Sequence, residues 1–365
     1  MKKIIPILII SIFLVSLTSA YAADGDILWE TAYDGGDSAE AYGVAVDSQN
    51  NVIVTGNCGT IKYDPSGTPL WPAAIGISGY GVAVDSQDNI IVTGGSGTIK
   101  YDPSGTPLWP AAIGISGYGV AVDSQDNIIV TGGSGTIKYD PSGTPLWPAA
   151  IGISGYGVAV DSQDNIIVIG QGASYFIEKR DANGNILWNK AIDITAGTDY
   201  GTGVAVDSQD NIVVTGWVYD PDPLINYASC AIKLSPSGSE IFRIYDNSGS
   251  RWSYKVAIDS YDNIVLAGGK YDPSGDDVYQ WLTVKYDSNG KTIWERGFDY
   301  TLGAHDDAYD VAIDSSNNIL VTGYVYNQTV YRSNYYTIKY EGGTSAKKSL
   351  PMQHFMKLLG LGKKD

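Results

Sequence analysis

VAVDSQDNIIVTG, at Val82–Gly94, recurs letter for letter at Val120–Gly132, and close relatives of it begin at Val44, Val158, Val204, Val256 and Val311. Each copy opens a longer unit made of four strand-like pieces divided by turn residues. In the second unit YGVAVD leads through the turn SQDN to IIVTG. A short Gly/Ser link then gives TIKYD, and the turn PSG leads into TPLWPAAI. GVAV and IIV are apolar on consecutive residues, so both faces of such a sheet are covered. A four-stranded sheet covered on both sides and repeated about an axis is a propeller blade. The chain is therefore expected to be all-β, a seven-bladed β-propeller with four antiparallel strands per blade.

Spacing supports the count. The Asp closing the first strand and the Gly closing the second are nine apart in all seven units, from Asp47/Gly56 to Asp314/Gly323. The third strand carries Lys62, Lys100, Lys138, Lys179, Lys233, Lys285 or Lys339. Nine residues after the first six lysines come Trp71, Trp109, Trp147, Trp188, Phe242 and Trp294, expected to pack the outer strands. The seventh unit ends at Tyr340 without that strand. Just after the leader, however, GDILWE (Gly25–Glu30) matches GNILWN (Gly184–Asn189), which places Trp29 as the missing aromatic. The N-terminal strand is thus expected to complete the last blade and leave no long exposed edge.

G-x-x-x-W, then an acidic or Gly-rich link, then Y-G-V-A-V-D-S-x-x-N-I-I-V-T-G, resembles the bacterial beta-propeller repeat known as the SBBP repeat, over about residues 25–341. The resemblance implies an extracellular or envelope propeller and specifies fold rather than activity. YDPSGTPLW also resembles the tryptophan-docking motif of quinoprotein dehydrogenases. Those usually have eight blades and a cofactor site whose ligands find no place in this sequence, so the Trp is read as shared outer-strand packing and no cofactor is expected. Residues 59–134 repeat with a period of 38, so the early blades supply no unique residue for an asymmetric catalytic site.

Residues 1–22 have two lysines, an apolar run from Ile4 to Leu17 and the small-residue pattern Ala20-Tyr21-Ala22, the form of a secretory leader. The product is expected to be exported, to the cell surface, periplasm or exterior, with no membrane span after cleavage. Cys58 and Cys230 are expected as two thiols rather than a bridge. Of the net charge of −17, the leader contributes +2 and the last 24 residues +4, leaving −23 on residues 24–341. Such a body repels phosphate backbones, which argues against nucleic acid as a partner.

In an antiparallel blade, the turn from strand one to two and the turn from strand three to four share a face. Both are constant in length. On the opposite face the Gly-to-Lys distance is 6 in the first three units and then 9, 17, 17 and 16. The long links there are rich in Tyr, Trp and Asp, and their exposed aromatics suit recognition of a protein or carbohydrate at the cell surface. Candidate binding residues are Trp217, Tyr219, Asp220, Trp252, Tyr279, Trp281, Asp306, Asp307 and Tyr326. The competing reading packs these aromatics onto their own blades.

Other features read as structural. Asp47, Asp85, Asp123, Asp161, Asp207, Asp259 and Asp314 open DS-x-[DN]-N turns, whose oxygen spacing does not match a calcium loop. Self-capping Asp and Ser, with Asn in a left-handed conformation, account for them and give Asn51, Asn89, Asn127, Asn165, Asn211, Asn263 and Asn318 structural roles. No metal site is expected. The recurrent lysines read as solvated or paired edge charges. His305, in GAHDDAYD, is the one candidate for a catalytic base; no motif positions a second histidine or a nucleophile beside it.

The tail at 342–365 places Met352, Phe355, Met356 and Leu359 on one helical stripe flanked by lysines. It reads as flexible or a short helix, peripheral to a membrane or docking on a partner. The sequence favours a non-catalytic exported scaffold, with a metal-dependent lyase or lactonase as one alternative and a structural envelope repeat as another.

Overall fold

The chain is described by a computed structural model covering residues 22–36, 38–170, 174–195, 197–220, 225–272, 278–300, 304–329 and 331–343. The expected leader and tail lie outside the described residues except for Ala22, Gly342 and Gly343. Among the described residues every regular element is a strand, and no helix is long and apolar enough to cross a membrane.

Seven sheets ring a central axis, each running outward in chain order from its first strand. Blade 7 carries the test of closure. Its order is Asp307–Ile313, Ile319–Asn327, Arg332–Tyr340 and then Ile27–Tyr33, the N-terminal strand. That strand pairs antiparallel, from Ile27 against Tyr340 to Tyr33 against Tyr335. Gly25 N–H donates to the Glu341 carbonyl at 2.6 Å and Glu341 N–H to the Asp26 carbonyl at 2.8 Å. The two ends of the propeller are thus sealed by backbone hydrogen bonds.

Blades 4 to 7 carry a regular fourth strand, whereas blades 1 to 3 hold that position with isolated bridges such as Thr60–Ile75 and Tyr63–Pro69. In TPLWPAAI two prolines lack the N–H that a ladder requires, so the segment runs alongside the third strand without joining it fully. Its Trp71, Trp109 and Trp147 are nonetheless buried.

The constant face explains the repeated motif. Asp47 accepts from Gln49 N and Asn51 N on Oδ1, and from Asn51 Nδ2 on Oδ2 at 2.8 Å. Lys62 Nζ reaches the same Oδ2 at 2.9 Å and also donates to the Pro103 carbonyl of blade 2 at 3.2 Å. This unit repeats around the ring, and Lys339 closes it by pairing with Asp314 at 2.8 Å and donating to the Pro65 carbonyl of blade 1 at 3.3 Å. The lysines are therefore paired, but inside the ring rather than at a solvated edge, with Lys62 only 4 % exposed. Burial alone would raise the Asp47 carboxyl, yet the bonds from Asn51 and Lys62 outweigh it and hold the group below the usual carboxylate range.

A second ring runs beside the first. The left-handed residue of each turn is the one before the recurrent Asn: Asn50, Asp88, Asp126, Asp164, Asp210, Asp262 and Asn317, with φ between 60° and 65°. Each accepts from the Ser N–H of the preceding blade, as Asp88 does from Ser48 at 2.8 Å and Asn50 from Ser315 at 3.0 Å. The recurrent Asn instead ties its Nδ2 to its own turn's Asp.

The outer aromatics bridge blades too. Trp29 Nε1 donates to the Pro65 carbonyl at 2.9 Å and Trp188 Nε1 to Pro236 at 3.1 Å. Gly67 takes φ 88° directly over the Trp29 ring, where an added Cβ would approach within 2.8 Å. Trp71, Trp109, Trp147, Trp188, Phe242 and Trp294 meet the corresponding glycine of the next blade in the same way, and Phe242 is the least bulky of them.

Candidate functional site: an aromatic cavity beside the channel mouth

Three blades rise above the others on the variable face. Their middle strands, Ile212–Tyr219, Ile264–Asp272 and Ile319–Asn327, run eight or nine residues against five in blades 1 to 3. Much of what reads in sequence as long link is therefore extended hairpin, and Trp217, Tyr219, Tyr279, Trp281 and Tyr326 lie on strands. Strand alternation then sorts them. Tyr219 faces solvent at 49 % exposure, Val218 is buried, and Trp217 stacks on Tyr200 with ring centroids 3.9 Å apart.

Between these blades lies a cavity of about 250 Å³ lined by Trp217, Tyr227, Trp252, Tyr254, Tyr279 and Asp307. Four of the sequence candidates, Trp217, Trp252, Tyr279 and Asp307, thus converge on one site. Rings meet at its corners: Tyr279 stands edge-on to Trp252 at 5.1 Å and 90°, and Tyr227 to Trp217 at 5.1 Å and 78°. Trp252 Nε1 donates to Asp307 Oδ1 at 2.9 Å. Burial, with Asp306 and Glu40 adding negative charge, pushes the Asp307 carboxyl up to about 8 despite that bond.

The remaining candidates go elsewhere. Trp281 is fully buried and donates its Nε1–H to the Tyr324 carbonyl at 2.9 Å, so it packs blade 6 against blade 7 instead of presenting a surface. Asp306 is also buried and accepts from Tyr300 N and Tyr326 N, both at 2.8 Å, which ties the segment around Tyr300 to the strand Ile319–Asn327. Burial pushes its carboxyl up to about 6. Tyr326 is half-buried. Tyr219 and Asp220 line a separate groove with Arg243 and Tyr245, whose hydroxyl donates to Asp220 Oδ2 at 2.7 Å. His305 is exposed; its Nδ1 accepts from Tyr279 N at 3.3 Å, and its ring lies 4.7 Å from that of Tyr279. Among the described residues no group of three or more His, Cys, Asp or Glu is placed to hold a metal. The two cysteines are not bridged to each other.

Sequence reading did not single out the rim of the central channel. Tyr254, Tyr309, Tyr42, Tyr80, Tyr118 and Tyr156 follow one another around it, consecutive rings 5.2 to 5.8 Å apart, with Thr202 at the blade 5 position. At Tyr42, Tyr156, Thr202, Tyr254 and Tyr309 the strand register slips by one, a bulge that re-aims the side chain. The next residue is Gly43, Gly81, Gly119, Gly157 or Gly203, where neighbouring inner strands come close; in Gly203 an added Cβ would sit 2.9 Å from the Tyr254 carbonyl. Blades 6 and 7 break this glycine layer with Lys255 and Asp310. Lys255 Nζ donates across the channel to the Tyr156 carbonyl at 3.2 Å, while Asp310 accepts from Val44 N at 2.9 Å. Burial lowers the Lys255 ammonium and pushes Asp310 up to about 6, each partly offset by the other's charge. The register Y-G-V-A-V, written out for all seven units, would have shown the exception.

The fold defines a β-propeller, and solved structures agree. The chain is similar to the WD40 β-propeller domain of Doa1, at TM-score 0.62 and 14 % identity over 90 % of this chain and 99 % of that one. It is also similar to the extracellular domain of the hybrid two component system BT4673 from B. thetaiotaomicron, at TM-score 0.56 and 12 % identity, covering 86 % of this chain and 39 % of that one. At such identities the likeness is one of fold alone. No family profile matches the chain, and no curated protein matches it.

Proposed function

We propose that this chain is a non-catalytic, exported β-propeller scaffold of the SBBP-repeat type that binds a protein or carbohydrate partner at the cell surface. The carrying observation is the one-sided distribution of asymmetry. The constant face spends its polar groups on latching blades together, whereas the opposite face gathers an aromatic cavity with the buried Asp307 carboxyl between blades 5, 6 and 7. The leader-like residues 1–22 support export, and the strongly negative body suits a basic or neutral partner over nucleic acid. The reading invokes no cofactor.

Replacing the blade 5 to 7 links with the short Gly/Ser links of blades 1 to 3 tests it. Capture of partners from native envelope extracts is expected to be lost, and unchanged capture would reject the assignment. For the lyase or lactonase alternative, metal analysis joined to His305→Ala gives the reading: bound metal or turnover that falls in the variant would favour an enzyme.

A further inference from the structure

We propose that the cavity between blades 5, 6 and 7 binds a quaternary ammonium group, an organic cation of the choline class, held against aromatic faces with the Asp307 carboxylate as its counter-charge. The inference rests on the binding-surface reading and gives that surface a ligand chemistry.

Shape comes first. Trp217, Tyr227, Trp252, Tyr254 and Tyr279 wall a space of about 250 Å³. The perpendicular pairs Trp252–Tyr279 and Trp217–Tyr227 turn ring faces in different directions around it. Ring faces carry partial negative charge, so walls of this kind attract a cation from several sides at once.

Charge points the same way. Asp307 faces Asp306, Glu40, Tyr254, Tyr279, Tyr309 and Tyr324. Every charged member of that set is an acid, the imidazole of His305 lies against Tyr279 with ring centroids 4.7 Å apart, and among the described residues no lysine or arginine forms an ion pair with Asp307.

Donor counting selects the kind of cation. A primary ammonium brings three N–H donors and a sugar brings several hydroxyls, each of which loses water on entry. The acceptors in the lining are the Asp307 carboxylate, whose Oδ1 already accepts from Trp252, and the hydroxyls of Tyr227, Tyr254 and Tyr279, too few to replace the water lost by every donor of a primary ammonium or a sugar. A quaternary ammonium has no donors to satisfy and needs only apolar contact and a nearby negative charge. Because Asp307 ionises only near pH 8 in the unliganded protein, uptake is expected to tighten as pH rises through that value.

The test is a calorimetric titration of the folded protein with choline chloride at pH 6 and pH 9, beside its uncharged isostere 3,3-dimethyl-1-butanol. Choline is expected to bind saturably, about tenfold or more tighter at pH 9, with the isostere about tenfold or more weaker than choline at that pH. Asp307→Asn, checked for folding by its melting transition, is expected to weaken choline about tenfold and to abolish the pH dependence. Equal affinity for choline and the isostere, or no saturable choline binding in the wild type, would overturn the proposal, and neither result depends on a variant. Sedimentation with phosphatidylcholine but not phosphatidylglycerol vesicles would identify a lipid head group as the source; choline binding without sedimentation would identify a free solute. If choline fails while the link replacement still abolishes envelope capture, the cavity assignment falls and the surface reading survives. If choline binds while capture is untouched by the link replacement, the surface reading falls alone.

Discussion

The two faces of this ring obey opposite rules. On the constant face, seven turns repeat one arrangement: an Asp capped by its own turn, a buried Lys from the third strand, and contacts handed to the next blade. On the variable face no two of blades 5, 6 and 7 contribute the same residues. Sevenfold repetition serves cohesion, because every blade must meet an identical neighbour. Recognition needs the reverse, since a ligand occupies one place and requires residues found only there.

The contrast can be broken most severely at its seam. Deleting Asp24–Tyr33 strips blade 7 of its outer strand and exposes the edge of Arg332–Tyr340. The cooperative melting transition is expected to disappear, with aggregation in light scattering; a retained sharp transition would show that the ring closes without its N-terminal strand.

Next in size is the buried pair. Lys100→Met leaves Asp85 buried beside an apolar chain where it had a cation at 2.7 Å, at a cost of about 3–5 kcal/mol. Lys138→Met is expected to cost the same within about 0.5 kcal/mol, because the two blades are copies. Chemical denaturation of the two variants measures this, and clearly unequal losses would mean that the latches are not equivalent.

On the other face, Asp307→Asn sharpens the comparison through pH. Its carboxyl is raised from 3.8 to about 8, so the native state holds a proton there that the unfolded chain has released. That contribution is complete below about pH 4 and is lost as pH rises through about 8. The variant is therefore expected to match the wild type at pH 4 and to be clearly the more stable of the two at pH 9. Thermal melts at the two pH values decide it; equal stability at pH 9 would show that Asp307 is better solvated than its surroundings indicate.

The smallest effect is expected at Asp126→Asn, which keeps a residue tolerant of φ 61° and an acceptor for Ser86 N while losing the charge. The loss is expected to be about 0.5 kcal/mol. A loss several times larger would move the main cohesion of the ring from the buried pairs to these turns.

Legibility in the sequence follows the same division. The repeated Asp-to-Gly and Lys-to-aromatic spacings reveal blade count and closure because each repeated residue does one job seven times. Lys62 misleads on burial: its partner Asp47 comes from a turn two strands away, so local pattern suggests an edge charge where the structure has an interior pair. At the site, Trp217, Trp252, Tyr279 and Asp307 stand out as departures from the repeat. Trp281 departs equally, but it sits opposite Gly269 in a strand, and that parity turns it into the core. Tyr254 is hidden for the converse reason, since a tyrosine in a strand looks ordinary until a bulge re-aims it, and Tyr227, in regular register opposite Tyr219, carries no local signal at all.

Splitting the seventh sheet between the chain ends also sets an order of events. Partners 27 and 340 are separated by nearly the whole polypeptide, and loop-closure entropy disfavours their meeting until intervening sheets have shortened the distance. Six sheets can assemble as the chain emerges, but the circle shuts only once its final strand has been delivered. A product halted before that strand would carry an unfinished rim at each end, so truncation near residue 330 leaves an open arc rather than a smaller ring.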